Sequence, residues 1–191
     1  MGRIRYGLSN LHYAVATEGA GGALTYDEPA AIPGAKSMAF SPAGTSFTES
    51  ADNTSWYTLN TNDGYTGTIT FEDTAAADAF LLEVLGQKAD NKGFTVEKAN
   101  DEPKEFALAG QFELAGGTEV GKRVWFLRCV ASRPDINGNT KEVGSMAVDT
   151  NTVNITIMPR ISDNSVKYQS TSDQSAYGAW FTAVPTETTP Q

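Results

Sequence analysis

Between residues 64 and 71 the chain reads GYTGTITF, in which Tyr65, Gly67, Ile69 and Phe71 alternate with Thr66, Thr68 and Thr70. A period of two predicts a half-buried β-strand. The period changes at once. In EDTAAADAFLLEVLGQ, Ala77, Phe80, Leu81, Val84 and Leu85 fall at i, i+3, i+4, i+7 and i+8, the stripe of an amphipathic helix. Asp73 is the expected N-cap, and Gly86 is placed to end the helix in the left-handed conformation. Further strands are predicted over 106–114, where Phe106, Leu108, Phe112 and Leu114 alternate, over 123–131 and over 152–159. The stretch RVWFLRCVA is apolar enough to be buried on both faces. Shorter strands are expected near 38–40 and 56–59. Two long polar connections separate these runs: SPAGTSFTESADNTSW, and SRPDINGNTKEVGSM with an Asn137-Gly138 pair that favours a hairpin turn.

This reads as a mainly β chain with one flanking helix, and 191 residues are enough for one well-cored domain spanning 1–191. An N-terminal arm over about residues 1–10 and a Pro/Thr-rich tail over about 183–191 are expected to lie outside the core. The formal charge of -9, from 23 acidic and 14 basic side chains, argues against affinity for phosphate backbones. No apolar run approaches the roughly 20 residues of a membrane span, and the start lacks the pattern of a cleaved export signal. A soluble protein made in the reducing cytoplasm is expected, since the single Cys129 has no internal disulfide partner.

Candidate chemistry is sparse. His12 and Cys129 are the only histidine and cysteine, too few for a four-ligand zinc site, and Cys129 sits mid-strand like a small buried hydrophobe. Asp135, Asn137 and Asn139 open like a calcium loop. The sixth position is then Thr140 where that motif needs Gly, and the twelfth is Met146 where it needs a bidentate Glu. The GAGGA run at 19–23 lacks phosphate-loop spacing, and pairs such as Glu72-Asp73 and Asp101-Glu102 are what 23 scattered acids produce by chance. No catalytic, cofactor or metal site is expected, and the chain does not read as an enzyme.

Several stretches, taken in order, resemble the major tail proteins, or tail tube proteins, of siphophages, in particular the phi13-like family of phages of Gram-positive bacteria. They are GLSNLHYAV, SADNTSWYTLNTNDGYTGTITF, EPKEFALAGQFE, VWFLRCVASRPDINGNTKE, NITIMPR and the closing AYGAWFTAV. The resemblance implies a tail-tube-type β-sandwich or barrel with one flanking helix, extended loops and terminal arms. It implies a virion protein, made in the host cytoplasm, that forms hexameric rings stacked into the tail tube. Its implied partners are copies of itself, the tape measure protein in the lumen, and tail terminator and distal tail proteins at the ends. DNA passes through without specific binding.

On that likeness, Tyr6, Leu8, Leu11 and Tyr13, with Trp180 and Phe181, are expected to serve self-assembly; the other reading of the first four is the first strand of the monomer's own core. The 41–55 segment is expected to contact a neighbouring subunit or ring. The alternating faces predict that Thr66, Thr68, Thr70, Thr152, Asn154 and Thr156 line the lumen, with Asp63, Glu72 and Asp149 at or beside its wall. The alternative function is a monomeric carbohydrate-binding or adhesin module stacking sugars on Trp56, Tyr57 or Trp125.

Overall fold

A computed structural model describes residues 3–140, 144 and 149–186. In chain order the elements are β1 (Ile4–Glu18), β2 (Leu24–Tyr26), β3 (Ala30–Ala31), β4 (Ala35–Ala43), β5 (Ser46–Ala51), β6 (Thr54–Asn60), β7 (Gly64–Glu72), α1 (Ala75–Val84), β8 (Lys88–Ala89), β9 (Thr95–Val96), β10 (Phe106–Ala115), β11 (Gly121–Ala131), β12 (Thr150–Ile157) and β13 (Lys167–Thr171). The fold is mainly β, of sandwich type. Antiparallel strands run β2-β1-β10-β11-β12-β7-β4, with β3 beside β1 and β13 sharing the outer edge of β11 with β12.

The sheet rolls over itself so that its two halves face each other. Leu11, Tyr13 and Val15 of β1, Phe106 and Leu108 of β10, and Val124, Phe126 and Cys129 of β11 form one wall of the main core. Ile69 and Phe71 of β7 with Val153, Ile155 and Ile157 of β12 form the other, and Phe40 of β4 closes over Phe126 with ring centroids 5.1 Å apart. Gly67 makes that closure possible, because a Cβ there would meet the Ala39 carbonyl oxygen at 1.9 Å and the Phe40 ring at 2.8 Å.

Helix α1 plugs one end of the sandwich. Ala77, Phe80, Val84 and Leu85 are buried as their spacing predicts, and Phe80 meets Tyr13, Phe71 and Phe106 edge-on. The Tyr13 hydroxyl donates to Glu83 at 3.0 Å, tying the helix to β1; burial, then this carboxylate, holds the phenol above its ordinary range. The cap differs by one residue from expectation: Thr74, not Asp73, accepts from the Ala77 N–H at 3.1 Å. Gly86 follows the helix at φ +69°, as predicted.

The reverse face of β1, β10 and β11 carries a second core. Ala14, Ala107, Ala109, Trp125 and Leu127 lie under Trp180 and Val184, and the Trp125 indole N–H donates to the Trp180 carbonyl at 2.8 Å. Burial of β11 on both faces therefore holds. Two expected arms become parts of the body. Residues 4–10 belong to β1, paired from Ile4↔Ala115 onward, and the C-terminal segment packs as far as Val184. Asn137-Gly138 forms no hairpin: neither residue takes the positive φ of the favoured turn, and 132–140 is irregular. The Asp135, Asn137 and Asn139 run lies in that segment, whereas Thr140's neighbours up to Met146 fall largely outside the described residues.

Two substitutions test this account by urea denaturation. Phe80→Ala should lower stability by about 3–5 kcal/mol, a large part of the roughly 5–15 kcal/mol of a typical domain. Thr74→Ala should cost about 1 kcal/mol through loss of the cap.

Candidate functional site

The segment read as a polar loop is a free-standing hairpin. Residues β5 and β6 pair only with each other through Ser46↔Asn60, Phe47↔Leu59, Thr48↔Thr58 and Glu49↔Tyr57, and every one of their side chains is exposed. Asp52 and Asn53, both with φ near +55°, make the tip, the geometry a two-residue type I′ turn demands. At the base, the Thr61 N–H donates to the Thr45 carbonyl and the Thr45 N–H to the Thr61 hydroxyl, each at 2.9 Å. Beyond this clasp the arm extends about 20 Å, taking six residues at the usual strand rise.

The hairpin is amphipathic. Cross-strand register puts Phe47, Leu59, Tyr57 and Glu49 on one face, and Ser46, Thr48, Thr58 and Asn60 on the other, where the Thr48 and Thr58 hydroxyls are 3.2 Å apart. Trp56 is the extra residue of a bulge between Glu49 and Ser50 and is 70 % exposed. A two-stranded hairpin presenting four large apolar side chains to water gains little stability alone, and such a patch marks an interaction surface.

The second notable surface is the outer face of β7, β12 and β4. Thr66, Thr68 and Thr70 stand opposite Thr156, Asn154 and Thr152 on one side and Ser41, Ala39 and Ser37 on the other. All six predicted lumen residues therefore share one sheet face, and the Thr70 and Thr152 hydroxyls approach to 3.2 Å. These nine positions carry no charge. Glu72 ends the β7 row and is paired with Lys36 at 2.8 Å; Asp149 accepts from the Asn139 backbone and side-chain N–H groups; Asp63 lies toward the hairpin base and accepts from the Thr61 hydroxyl. The acids thus border the polar face at its two ends. None stands within it.

The residues expected to form the apolar assembly edge separate into two groups. Leu11, Tyr13 and Trp180 are buried in the monomer's own cores, which removes them as interface residues: alternation along β1 past its bulges turns Leu11 and Tyr13 inward, and Trp180 covers Trp125. Tyr6 is 53 % exposed, Leu8 is half-buried against Met38 of β4 near Gly110, and Phe181 stacks on His12 with centroids 4.4 Å apart. Trp125, fully buried, cannot be a sugar platform, so of the three aromatics weighed for that role only Trp56 and Tyr57 are exposed.

His12 and Cys129 lie on opposite faces of the sheet, one beside Phe181 and the other in the main core, so they cannot act together. Burial pushes the Cys129 thiol far up, away from the thiolate. Among the described residues no group of three or more His, Cys, Asp or Glu side chains is arranged to hold a metal, and no helix is long and apolar enough to cross a membrane. A cleft of about 460 Å³ beside β8 and β9 is lined by charges of both signs from Lys88, Asp90, Lys98, Asp101 and Glu102. The strand expected near 56–59 is part of β6, but sequence reasoning missed its partner β5 and with it the hairpin, because β5 is short, polar on one face and without a covered apolar side; the Asp52-Asn53 pair was the available signal.

No known protein family has a model that matches this sequence, and no curated protein matches it.

Because the hairpin contributes no side chain to either core, excising 46–60 and joining Thr45 to Thr61 through a two-residue Asn-Gly turn should leave thermal unfolding within a few degrees of the parent. Calorimetry of the shortened protein checks this.

Proposed function

We propose that this chain is a structural subunit of a siphophage tail tube, assembling with copies of itself into hexameric rings that stack around the tape measure protein and later conduct DNA. The observation that carries this reading is the hairpin: a well-cored body extends an arm whose apolar face none of the described residues covers. An arm of this kind fits an obligate assembly better than a solitary domain, since ordering it in water brings little return without a partner surface.

Two further features support the reading. The ordered likeness to tail tube proteins runs from GLSNLHYAV to AYGAWFTAV. The hydroxyl-lined face of β4, β7 and β12 has the chemistry of a channel wall, since it offers hydrogen bonds to water and no cation to hold passing phosphates. β4 also has a strand partner on one side only among the described residues, which leaves it able to continue a barrel into a neighbouring subunit. Tail terminator and distal tail proteins would meet the ends of the stack, and the site of action is the virion.

The carbohydrate-binding reading uses the same exposed Trp56 and Tyr57 as a stacking platform. The two readings separate in one experiment. Sedimentation velocity and negative-stain microscopy over a concentration series should show rings or tubes for the parent protein without added cofactor. The double variant Trp56→Ser/Tyr57→Ser should keep the parent's unfolding temperature within a few degrees yet need at least tenfold more protein to assemble. A parent that stays monomeric at high concentration, and binds glycans through these aromatics, would replace the tail-tube reading with the lectin-like one.

A further inference from the structure

Helix α1 closes one end of the sandwich; the other end is open. There the start of β1, the end of β10, the starts of β11 and β13, and the junction of β4 with β7 surround a cleft of about 160 Å³. Its floor is apolar, with Phe40, Tyr65, Phe112 and Phe126. Its rim is basic. Arg5 lies over the Phe112 ring at 4.7 Å, Lys167 donates to the Tyr65 hydroxyl at 2.8 Å, and Lys122 stands beside them.

These three cations are anomalous in a chain of charge -9. The described ion pairs occupy Arg3, Lys36, Arg128, Arg133 and Arg160, and none involves Arg5, Lys122 or Lys167. Burial, followed by the charges of Lys167, Arg5 and Arg3, holds the Lys122 ammonium below its ordinary range. Like charges gathered over an aromatic floor, with no acid among them, raise the energy of the free subunit. A carboxylate arriving with apolar side chains would relieve the repulsion and cover the floor in one event.

The hairpin has that composition. Over 46–60 it carries Glu49 and Asp52 and no Lys, Arg or His, and its apolar face groups Phe47, Tyr57 and Leu59 with Glu49. It also leaves the body at the open end, since it continues the β4-β7 ribbon directly beyond Pro42↔Tyr65, and Tyr65 lines the cleft. Arm and cleft therefore lie at the same end of the subunit. Subunits in a ring share one orientation along its axis, so an arm that leans sideways meets its neighbour's cleft at the same height. The contact is heterologous, arm to cleft, the kind of contact that builds a ring when the rotation between neighbours closes.

We propose that the basic cleft at the open end is the receptor for the β5-β6 hairpin of an adjacent copy, with Glu49 and Asp52 facing Arg5, Lys122 and Lys167 and the arm's aromatics covering Phe40 and Phe112. This rests on the self-assembly reading above and names the two surfaces that meet within a ring.

The test is a charge exchange followed by sedimentation. Lys122→Glu/Lys167→Glu should raise the protein concentration needed for assembly at least tenfold, Glu49→Lys/Asp52→Lys should do the same, and combining all four should restore assembly toward the parent level. A cleft variant that assembles like the parent, or a combined variant no better than either half, overturns the docking while leaving self-assembly standing. A parent that never assembles overturns the tail-tube reading itself. Should the cleft variant misfold, zero-length carbodiimide cross-linking of the assembled parent decides the matter. Mass spectrometry should find intermolecular amides joining Lys122 or Lys167 to Glu49 or Asp52, and other cross-links without these overturn the proposal.

Discussion

The strands β10 and β11 are buried on both faces, and the rest of the molecule is arranged around satisfying that condition. Apolar side chains point both ways along these strands, with Phe106, Leu108 and Phe126 toward the main core and Ala107, Ala109, Trp125 and Leu127 toward the other side. One side is covered by rolling the sheet onto itself and inserting α1. The other needs a separate cover, and the C-terminal segment supplies it through Trp180, whose carbonyl accepts the Trp125 indole N–H. Were that segment absent, Trp125 would expose its ring and lose its hydrogen-bond partner together, a penalty both apolar and polar.

The same condition explains the uncovered half of the sheet. With α1 and the C-terminal segment already placed, none of the described residues is left for the outer face of β4, β7 and β12. Those strands accordingly alternate, with Ile69, Phe71, Val153, Ile155 and Ile157 inward and hydroxyls or amides outward. A face of Thr, Ser and Asn keeps strong β-propensity through its branched residues while tolerating water. It is compatible equally with solvent and with the wall of an aqueous channel.

Charge is distributed with the same economy. The overall balance is acidic, yet Arg5, Lys122 and Lys167 collect at the open end, and the acids at the margins of the hydroxyl face leave its centre neutral. An arm bearing only acids projects from the end where the free cations sit. Complementary surfaces on one chain that stand apart within it, the arm's side chains being exposed, favour association between copies, and at close range they also fix the register of that association.

What could be read along the chain is what depends on neighbours in sequence. The alternation of GYTGTITF, the helical stripe from Ala77 to Leu85, the stop at Gly86 and the two-sided apolar run of β11 all appear in the structure, because side-chain period and backbone conformation are local properties. Alternation also placed the six hydroxyl and amide residues on one face. What could not be read depends on partners far away in sequence. Leu11 and Tyr13 look like a sticky edge until β10 and Phe80 are seen to cover them, Trp180 looks like part of a loose tail until it meets Trp125, and residues 4–10 look like an arm until β10 pairs with them. Residues 46–51 show the converse: their local sequence reads as loop, and only pairing with 54–60 makes them one strand of a hairpin with an apolar face and no cover among the described residues. Burial is set by the approach of distant strands, so the choice between core and interface for any apolar side chain is made by tertiary structure.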